Sequence, residues 1–223
     1  MRVFVSILLF IIAVGLQAKG VDWKKIDKEA LGAYKNSEYS LKSDVKCLEI
    51  RTYFVDKKNR IDREYWSSPI TWCVRPYKSF DPKLMKNFRN AEPDLSRNGD
   101  IGKREAGSIS NAFIIDADDK MWRMNMVEDV IRYLGEVDML SEAQLVLWLH
   151  GKQSPNRYRK TSRGYEFLIE YTKSSAGCQQ CKLIETCIED KEIKEKAIVD
   201  KKGDIILFKQ LKSRILKQEC IVN

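Results

Sequence analysis

The side chains best suited to ligand chemistry in this 223-residue chain are cations that cluster between positions 152 and 165. This segment reads KQSPNRYRKTSRGY and contains no acidic residue. Arginine donates forked hydrogen bonds to phosphate and carboxylate groups, and tyrosine offers a ring for stacking. The segment therefore predicts a loop that binds an acidic protein or another polyanion, with an ordinary solvated connection as the alternative. The predicted contact residues are Lys152, Arg157, Tyr158, Arg159, Lys160 and Arg163.

A second segment, 94–105, has oxygen-bearing side chains at a spacing that suits a cation. Its sequence, DLSRNGDIGKRE, resembles an EF-hand calcium loop, which turns at a central glycine and closes with a glutamate. The resemblance implies that calcium is held by Asp94, Ser96, Asn98, the backbone carbonyl of Asp100, and Glu105. Arginine and lysine residues within the loop oppose its acidic charge, so the motif predicts weak calcium binding, with a solvated turn as the alternative.

The cysteines are the third candidate group: Cys47, Cys73, Cys178, Cys181, Cys187 and Cys220. An even number of cysteines in an exported chain indicates disulfides. Their distribution predicts a bridge between Cys47 and Cys73 in the N-terminal half and two bridges in the C-terminal third. Cys178 and Cys181 also have the spacing of a thiol–disulfide exchange site, so an exported redox enzyme is the alternative function. A four-cysteine zinc site is a further alternative, which export disfavours because oxidation competes for the thiolates.

The single histidine, His150, limits the catalytic mechanisms open to this chain, because any Ser-His or Cys-His mechanism must use it. It adjoins Gly151 at the predicted end of a helix, where the helix dipole is sufficient to explain it. The sequence contains no nucleophile elbow, two-histidine metal motif or phosphate-binding loop. We therefore predict a non-enzymatic binding protein without a cofactor, with a weak calcium-binding module at 94–105 as an alternative.

Residues 1–20 have the pattern of a signal peptide. Arg2 precedes an apolar run over 3–16, which is too short to span a bilayer, and small residues follow at Ala18 and Gly20. The pattern predicts a secreted or periplasmic protein with no stable membrane anchor after cleavage. A composition of 43% hydrophobic and 32% charged residues excludes polytopic membrane proteins and disordered chains, and the net charge of +8 favours acidic partners.

The order of patterns predicts an α+β fold of antiparallel hairpins or a meander with interleaved short helices, stabilised by disulfides. Residues 21–223 are predicted to form one domain, with 164–223 as a cysteine-rich C-terminal subdomain. The predicted helices cover 21–34, 125–134 and 141–151, with Asn125 and Ser141 as the caps of the last two. Strands are predicted over 45–55, 60–66, 68–77, 112–115, 121–124, 164–172, 196–200 and 204–208. Residues 209–217 fit either a basic helix or an edge strand.

Overall fold

The structure, a computed structural model, describes residues 22–27, 41–56, 60–62, 69–95, 99–102, 108–176 and 185–222. The predicted signal peptide, the predicted calcium ligands Ser96, Asn98 and Glu105, and the pair Cys178 and Cys181 lie outside these residues. The strands are β1 (Lys24–Lys25), β2 (Val45–Val55), β3 (Ile61–Asp62), β4 (Ile70–Cys73), β5 (Ser108–Asp116), β6 (Met121–Met124), β7 (Arg157–Thr161), β8 (Gly164–Ala176), β9 (Glu185–Val199) and β10 (Ile205–Val222). The α-helices are α1 (Pro82–Arg89), α2 (Val127–Ile131) and α3 (Leu140–Leu149). The described part is mostly antiparallel sheet with a few helices, so the α+β prediction is confirmed at this level.

The N-terminal sheet is built around β2, which pairs with β5 on one side and with both β3 and β4 on the other. The predicted meander is wrong at this point, because β4 does not pair with β3. The strand β2 has 11 residues, so β3 pairs with its last residues and β4 pairs with Cys47–Ile50 near its start. Both β3 and β4 therefore pair with different parts of the same side of β2.

Alternate residues of β2 and β5 face two different cores, because successive side chains of a strand point to opposite faces. In the first core, Leu48 and Ile114 cluster with residues of α3 and of β8 and β9. In the second core, Tyr53 and Phe113 cluster with Phe88 of α1. Both strands are therefore buried on both faces, and α1 covers one side of the N-terminal sheet.

The two later helices begin near their predicted positions but have different caps. The carboxylate of Asp100 accepts a hydrogen bond from the backbone amide of Val127 at 2.7 Å, so a residue distant in sequence caps α2. At α3, the Glu142 carboxylate accepts from the backbone amide of Met139 at 3.0 Å. The predicted caps, Asn125 and Ser141, are wrong: a distant residue, Asp100, caps α2, and a local glutamate, Glu142, caps α3.

The C-terminal sheet has the order β1-β7-β8-β9-β10, and all its pairs are antiparallel. The predicted helix over 21–34 is wrong at Lys24–Lys25, which pair as a strand with Arg157 and Tyr158; residues 28–34 lie outside the described part. The C-terminal residues 209–217 belong to β10, the edge strand of this sheet. The inner face of the sheet, with Phe167 and Ala197, packs in the first core together with α3.

Candidate ligand-binding cleft

A cleft of about 1200 Å³ lies between the α2–α3 region and the turn that joins β9 to β10. Its walls come from four separated segments: Lys42 before β2, residues 128–136, residues 150–152 and residues 201–208. Its apolar lining consists of Ile131, Leu134, Ile205 and Phe208. An open cleft with an apolar lining and converging charged groups is the usual form of a ligand-binding site.

The β9–β10 turn forms one wall of the cleft and depends on Gly203. This glycine has φ +88°, and a Cβ atom placed on it would lie 3.0 Å from Cγ2 of Ile131. Glycine adopts this conformation without the steric cost of a side chain, so the turn packs directly against α2. The carboxylate of Asp200 accepts backbone hydrogen bonds from Lys202 and Asp204, each at 2.9 Å, which hold the turn closed. The predicted hairpin at Gly203 is confirmed.

The rim of the cleft carries more positive than negative charge. Its cations are Lys42, Arg132, Lys152, Lys201 and Lys202, and its carboxylates are Glu128, Glu136 and Asp204. Two of the cations form ion pairs: Lys201 with Glu136 at 2.9 Å and Arg132 with Asp129 at 3.5 Å. Within the described part of the chain, the other three cations have no ion pair, and the ammonium of Lys152 lies 3.9 Å from the centre of the Phe208 ring.

His150 follows the last residue of α3 and lines the cleft, as the only imidazole of the chain. Its Nε2 atom is buried and has no hydrogen-bond partner. Burial lowers the pKa of His150; Lys152 lowers it further, whereas Glu128, Asp100 and Asp204 act in the opposite direction. Because the pKa lies below its ordinary value of 6.5, the ring is neutral at physiological pH.

The predicted basic loop is a strand for half of its length, and the structure distributes its residues over different surroundings. Only Lys152 lines the cleft. The Lys160 ammonium donates to the backbone carbonyl of Asp138 at 2.7 Å, and Arg157 and Tyr158 pair with Leu168 and Phe167 of β8. The polyanion site proposed from the sequence stays a prediction for these residues.

The absence of acidic residues in the basic segment is misleading, because the neighbouring strand supplies one. Glu166 is 4% exposed, and its carboxylate accepts from Nε of Arg159 at 2.7 Å and from Nζ of Lys196 at 3.0 Å. Arg163 adds a third contact at 3.5 Å. The guanidinium of Arg159 also lies 4.9 Å from the centre of the Trp23 ring. These cations stabilise a buried carboxylate, which sequence spacing alone does not reveal.

Replacing Glu166 by glutamine should make the stability of the protein less sensitive to acid. Burial tends to raise the pKa of Glu166, but hydrogen bonds and charges from Lys196 and Arg159 outweigh it and lower the pKa below 4.5. A carboxyl whose pKa is lower in the folded state stabilises the protein above its ordinary pKa, and this contribution disappears as the pH falls through the folded-state pKa.

Urea unfolding of Glu166→Gln and of the natural protein between pH 7 and pH 3 measures this effect. The natural protein should lose more stability below pH 4.5, and the variant should differ most from it at pH 7. The exposed residue Glu219 provides the control, because Glu219→Gln should leave the pH profile unchanged. Parallel pH profiles for Glu166→Gln and the natural protein would contradict the prediction.

Two of the predicted calcium ligands lie within the described residues. The Asp94 carboxylate accepts a hydrogen bond from the side-chain amide of Asn125 at 3.3 Å, and Asp100, whose backbone carbonyl is the predicted ligand, caps α2 with its side chain. No group of three or more acidic, histidine or cysteine side chains among the described residues has a metal-binding arrangement. With the remaining ligands outside the described part, calcium binding at 94–105 stays a prediction.

The disulfide between Cys47 and Cys73 is confirmed. These residues lie directly opposite each other in the pairing of β2 with β4. Cys187 and Cys220 are also disulfide-bonded, and no cysteine in the described part has a free thiol. The zinc and redox alternatives, both of which require thiolates, gain no support from these four cysteines.

A buried ion pair in the second core is a further polar cluster that the sequence patterns did not indicate. Arg51 and Glu49 are two residues apart on β2, so both point into the second core, where they form a hydrogen-bonded ion pair. The guanidinium donates to the carbonyl of Phe88 at 2.7 Å, and the Tyr77 hydroxyl donates to Glu49. Burial and the interaction with Glu49 raise the pKa of Tyr77, so it remains a donor. The sequence signal for this ion pair was the presence of two opposite charges, Glu49 and Arg51, at alternate positions of a predicted strand.

Comparison with protein-family models, with curated proteins and with solved structures finds no match to this chain. Among the described residues, no helix has the length and apolar character needed to cross a bilayer.

Proposed function

We propose that the protein is an exported, non-enzymatic binding protein whose cleft between α2 and the β9–β10 turn holds an anionic ligand with an apolar portion. The observation that carries the proposal is the combination of an apolar lining with three rim lysines that have no ion pair among the described residues. Lys42, Lys152 and Lys202 would contact the anionic group, and Ile131 and Phe208 would contact the apolar portion. The cleft is a different site from the basic segment 152–165 that the sequence predicted, and only Lys152 belongs to both.

Export and a single mature domain form part of the proposal. The disulfide between Cys47 and Cys73 is compatible with an oxidising compartment. The first core includes residues of both sheets, such as Leu48 and Phe167, which supports one folding unit over 21–223. Mass spectrometry of the secreted protein would test the cleavage after Gly20.

The chemistry of the cleft argues for binding rather than catalysis. His150 has no serine, cysteine or carboxylate hydrogen-bonded to its side chain within the described part, so it lacks the partner that activates a nucleophile. A neutral imidazole can instead donate a hydrogen bond to an oxygen of a bound phosphate or carboxylate. Lys152, which lies over the Phe208 ring, brings a cation next to the apolar lining.

Hexyl phosphate is a suitable probe, because it combines an anionic group with a short apolar chain. We expect it to shift the amide NMR signals of His150 and Gly203, whereas hexyltrimethylammonium, of similar size and opposite charge, should bind far more weakly. Replacing both Lys42 and Lys202 by glutamine should weaken binding of hexyl phosphate about tenfold, because hydrogen bonds to charged groups contribute about 1.5–3 kcal/mol each when well formed and less at an exposed rim.

The matched control replaces Lys78 and Lys83, two exposed lysines outside the cleft, by glutamine. This variant has the same net charge as the test variant and should bind hexyl phosphate as the natural protein does. Equal binding of the two probes, or an equal loss of affinity in both variants, would overturn the proposal, since either result indicates attraction to net charge alone.

A further inference from the structure

The free edge of β10 is the most unusual surface in the described part of the chain. Within that part, β10 has a strand neighbour on one side only, which is β9. Six of the ten large apolar side chains that are exposed lie on this strand: Ile206, Leu207, Phe208, Leu211, Ile215 and Leu216. An edge strand with unpaired backbone groups and exposed apolar side chains is a surface to which another strand can add.

The charges on one face of the C-terminal sheet indicate which charge an added strand must carry. Lys209 lies opposite Lys196, and Lys212 lies opposite Lys194, in the pairing of β10 with β9. Cross-strand partners share a face of the sheet, and like charges directly opposite each other are destabilising. The lysines of β9 already have carboxylates, because Lys196 pairs with Glu166 at 3.0 Å and Lys194 with Glu170 at 3.1 Å.

Lys209 and Lys212 have no ion pair among the described residues. In the next cross-strand pair on the same face, Arg214 of β10 lies 3.7 Å from Glu192 of β9. Three successive cross-strand pairs on this face therefore have a cation as their β10 member, at the free edge of the sheet. Carboxylates at alternate positions of an added strand would lie opposite these cations and form an ion pair with each of them.

Charge opposes antiparallel pairing of β10 with the β10 strand of a second copy about Ser213. Antiparallel pairing of β10 with itself, centred near Ser213, would place Lys212 opposite Arg214 and Lys209 opposite Lys217. These like-charge pairs oppose self-association. The register with β9 also shifts at Ile206, Leu211 and Leu216, and such bulges restrict how long a flat strand can add at an edge.

We propose that β10 binds an extended acidic segment of a partner protein as an added antiparallel or parallel strand. The segment is short, because it covers the two regular stretches 207–210 and 212–215 and ends at the bulges at Ile206 and Leu216. Across the bulge at Leu211 it follows β10 as β9 does, whose alternate residues Lys196, Lys194 and Glu192 lie opposite Lys209, Lys212 and Arg214. It therefore carries acidic side chains at alternate positions opposite these three cations, and apolar side chains between them. The cations that contact the segment are separate from the cleft, because Lys209 and Lys212 do not line it, whereas Phe208 of β10 does.

The test uses a synthetic peptide of alternating glutamate and valine, with a peptide of alternating lysine and valine as its opposite. Hydrogen exchange of the β10 amides, followed by NMR on the mature protein, should slow about tenfold or more at saturating acidic peptide, because added-strand hydrogen bonds protect edge amides. Exchanging both Lys209 and Lys212 for glutamate should weaken acidic-peptide binding about tenfold and create binding of the lysine peptide.

The matched control exchanges Lys24 and Lys25 for glutamate, which makes the same charge change in β1 at the opposite edge of the same sheet. It should leave acidic-peptide binding unchanged. No protection of β10 by the acidic peptide, or equal binding by the lysine peptide to the natural protein, would overturn the inference. Protection by phosphatidylglycerol vesicles without protection by the acidic peptide would also overturn it, as would a concentration-dependent dimer that protects β10 alone.

Discussion

Replacing Arg51 by methionine should lower the free energy of unfolding by about 3–5 kcal/mol, the range expected when one partner of a buried ion pair is removed. The Arg51 side chain is 3% exposed and that of Glu49 is 8% exposed, so the remaining carboxylate would stay buried without its cation. Urea unfolding monitored by tryptophan fluorescence measures the loss.

Several interactions of Arg51 disappear together, which accounts for the size of the effect. The guanidinium lies 4.3 Å from the centre of the Phe113 ring and 5.3 Å from that of Phe88. It donates to carbonyl groups at the C-terminal end of α1, including that of Phe88, where the helix dipole favours a cation. Arg51 therefore connects the N-terminal sheet to α1 as well as neutralising Glu49.

Arg75 provides a matched control, because its guanidinium also lies over a ring, 4.5 Å from the centre of Phe80, but is exposed. The change Arg75→Met should cost less than about 1 kcal/mol. Replacing Glu49 by leucine in the Arg51→Met background should restore much of the stability, since an apolar pair of similar volume removes the unpaired buried charge. An equal cost for Arg75→Met and Arg51→Met, or no recovery in the double variant, would contradict this account.

Removing the disulfide between Cys47 and Cys73 should lower the free energy of unfolding by about 3 kcal/mol when both residues are replaced by alanine. The bridge closes a loop with a sequence separation of 26 residues, and a loop of this size restricts the unfolded chain. The folded sheet should keep its arrangement, because backbone pairing of β2 with β4 continues through Ile50 and Ile70 without the bridge.

The dependence of the unfolding free energy on urea shows whether the disulfide acts on the folded or the unfolded state. A more expanded unfolded chain exposes more surface, so the slope of the unfolding free energy against urea should increase in the alanine variant. The hydrogen-exchange pattern of β2 and β5 serves as the control for an unchanged folded state. Unaltered stability and slope in the alanine variant would show that the bridge contributes nothing beyond local pairing.

Local sequence patterns predicted many elements because those elements depend on neighbouring residues. The hairpin at Gly203 follows from a turn glycine between apolar runs, and α3 follows from an apolar segment that ends at Gly151. The pairing of Cys47 with Cys73 followed from their separation from the other cysteines. The caps of α2 and the pairing of β4 were mispredicted, because Asp100 and β2 act on them from a distance along the chain.

The candidate cleft was not predictable in the same way. Lys42, Ile131, His150 and Lys202 come from segments separated by tens of residues, and no spacing rule relates them. The basic segment 152–165 illustrates the opposite error, because its charges looked unopposed until the pairing of β7 with β8 brought Glu166 against Arg159.

By itself the sequence determined β2, the positions of α2 and α3, the turn at Gly203 and the pairing of Cys47 with Cys73, whereas it did not indicate the strands β1 and β7. Only the tertiary structure decided which charges are neutralised, which remain on the rim of the cleft and which end on the free edge of β10. The physical reason is range: backbone conformation and side-chain periodicity act over a few residues, whereas burial and ion pairing depend on groups that folding brings together from distant parts of the chain.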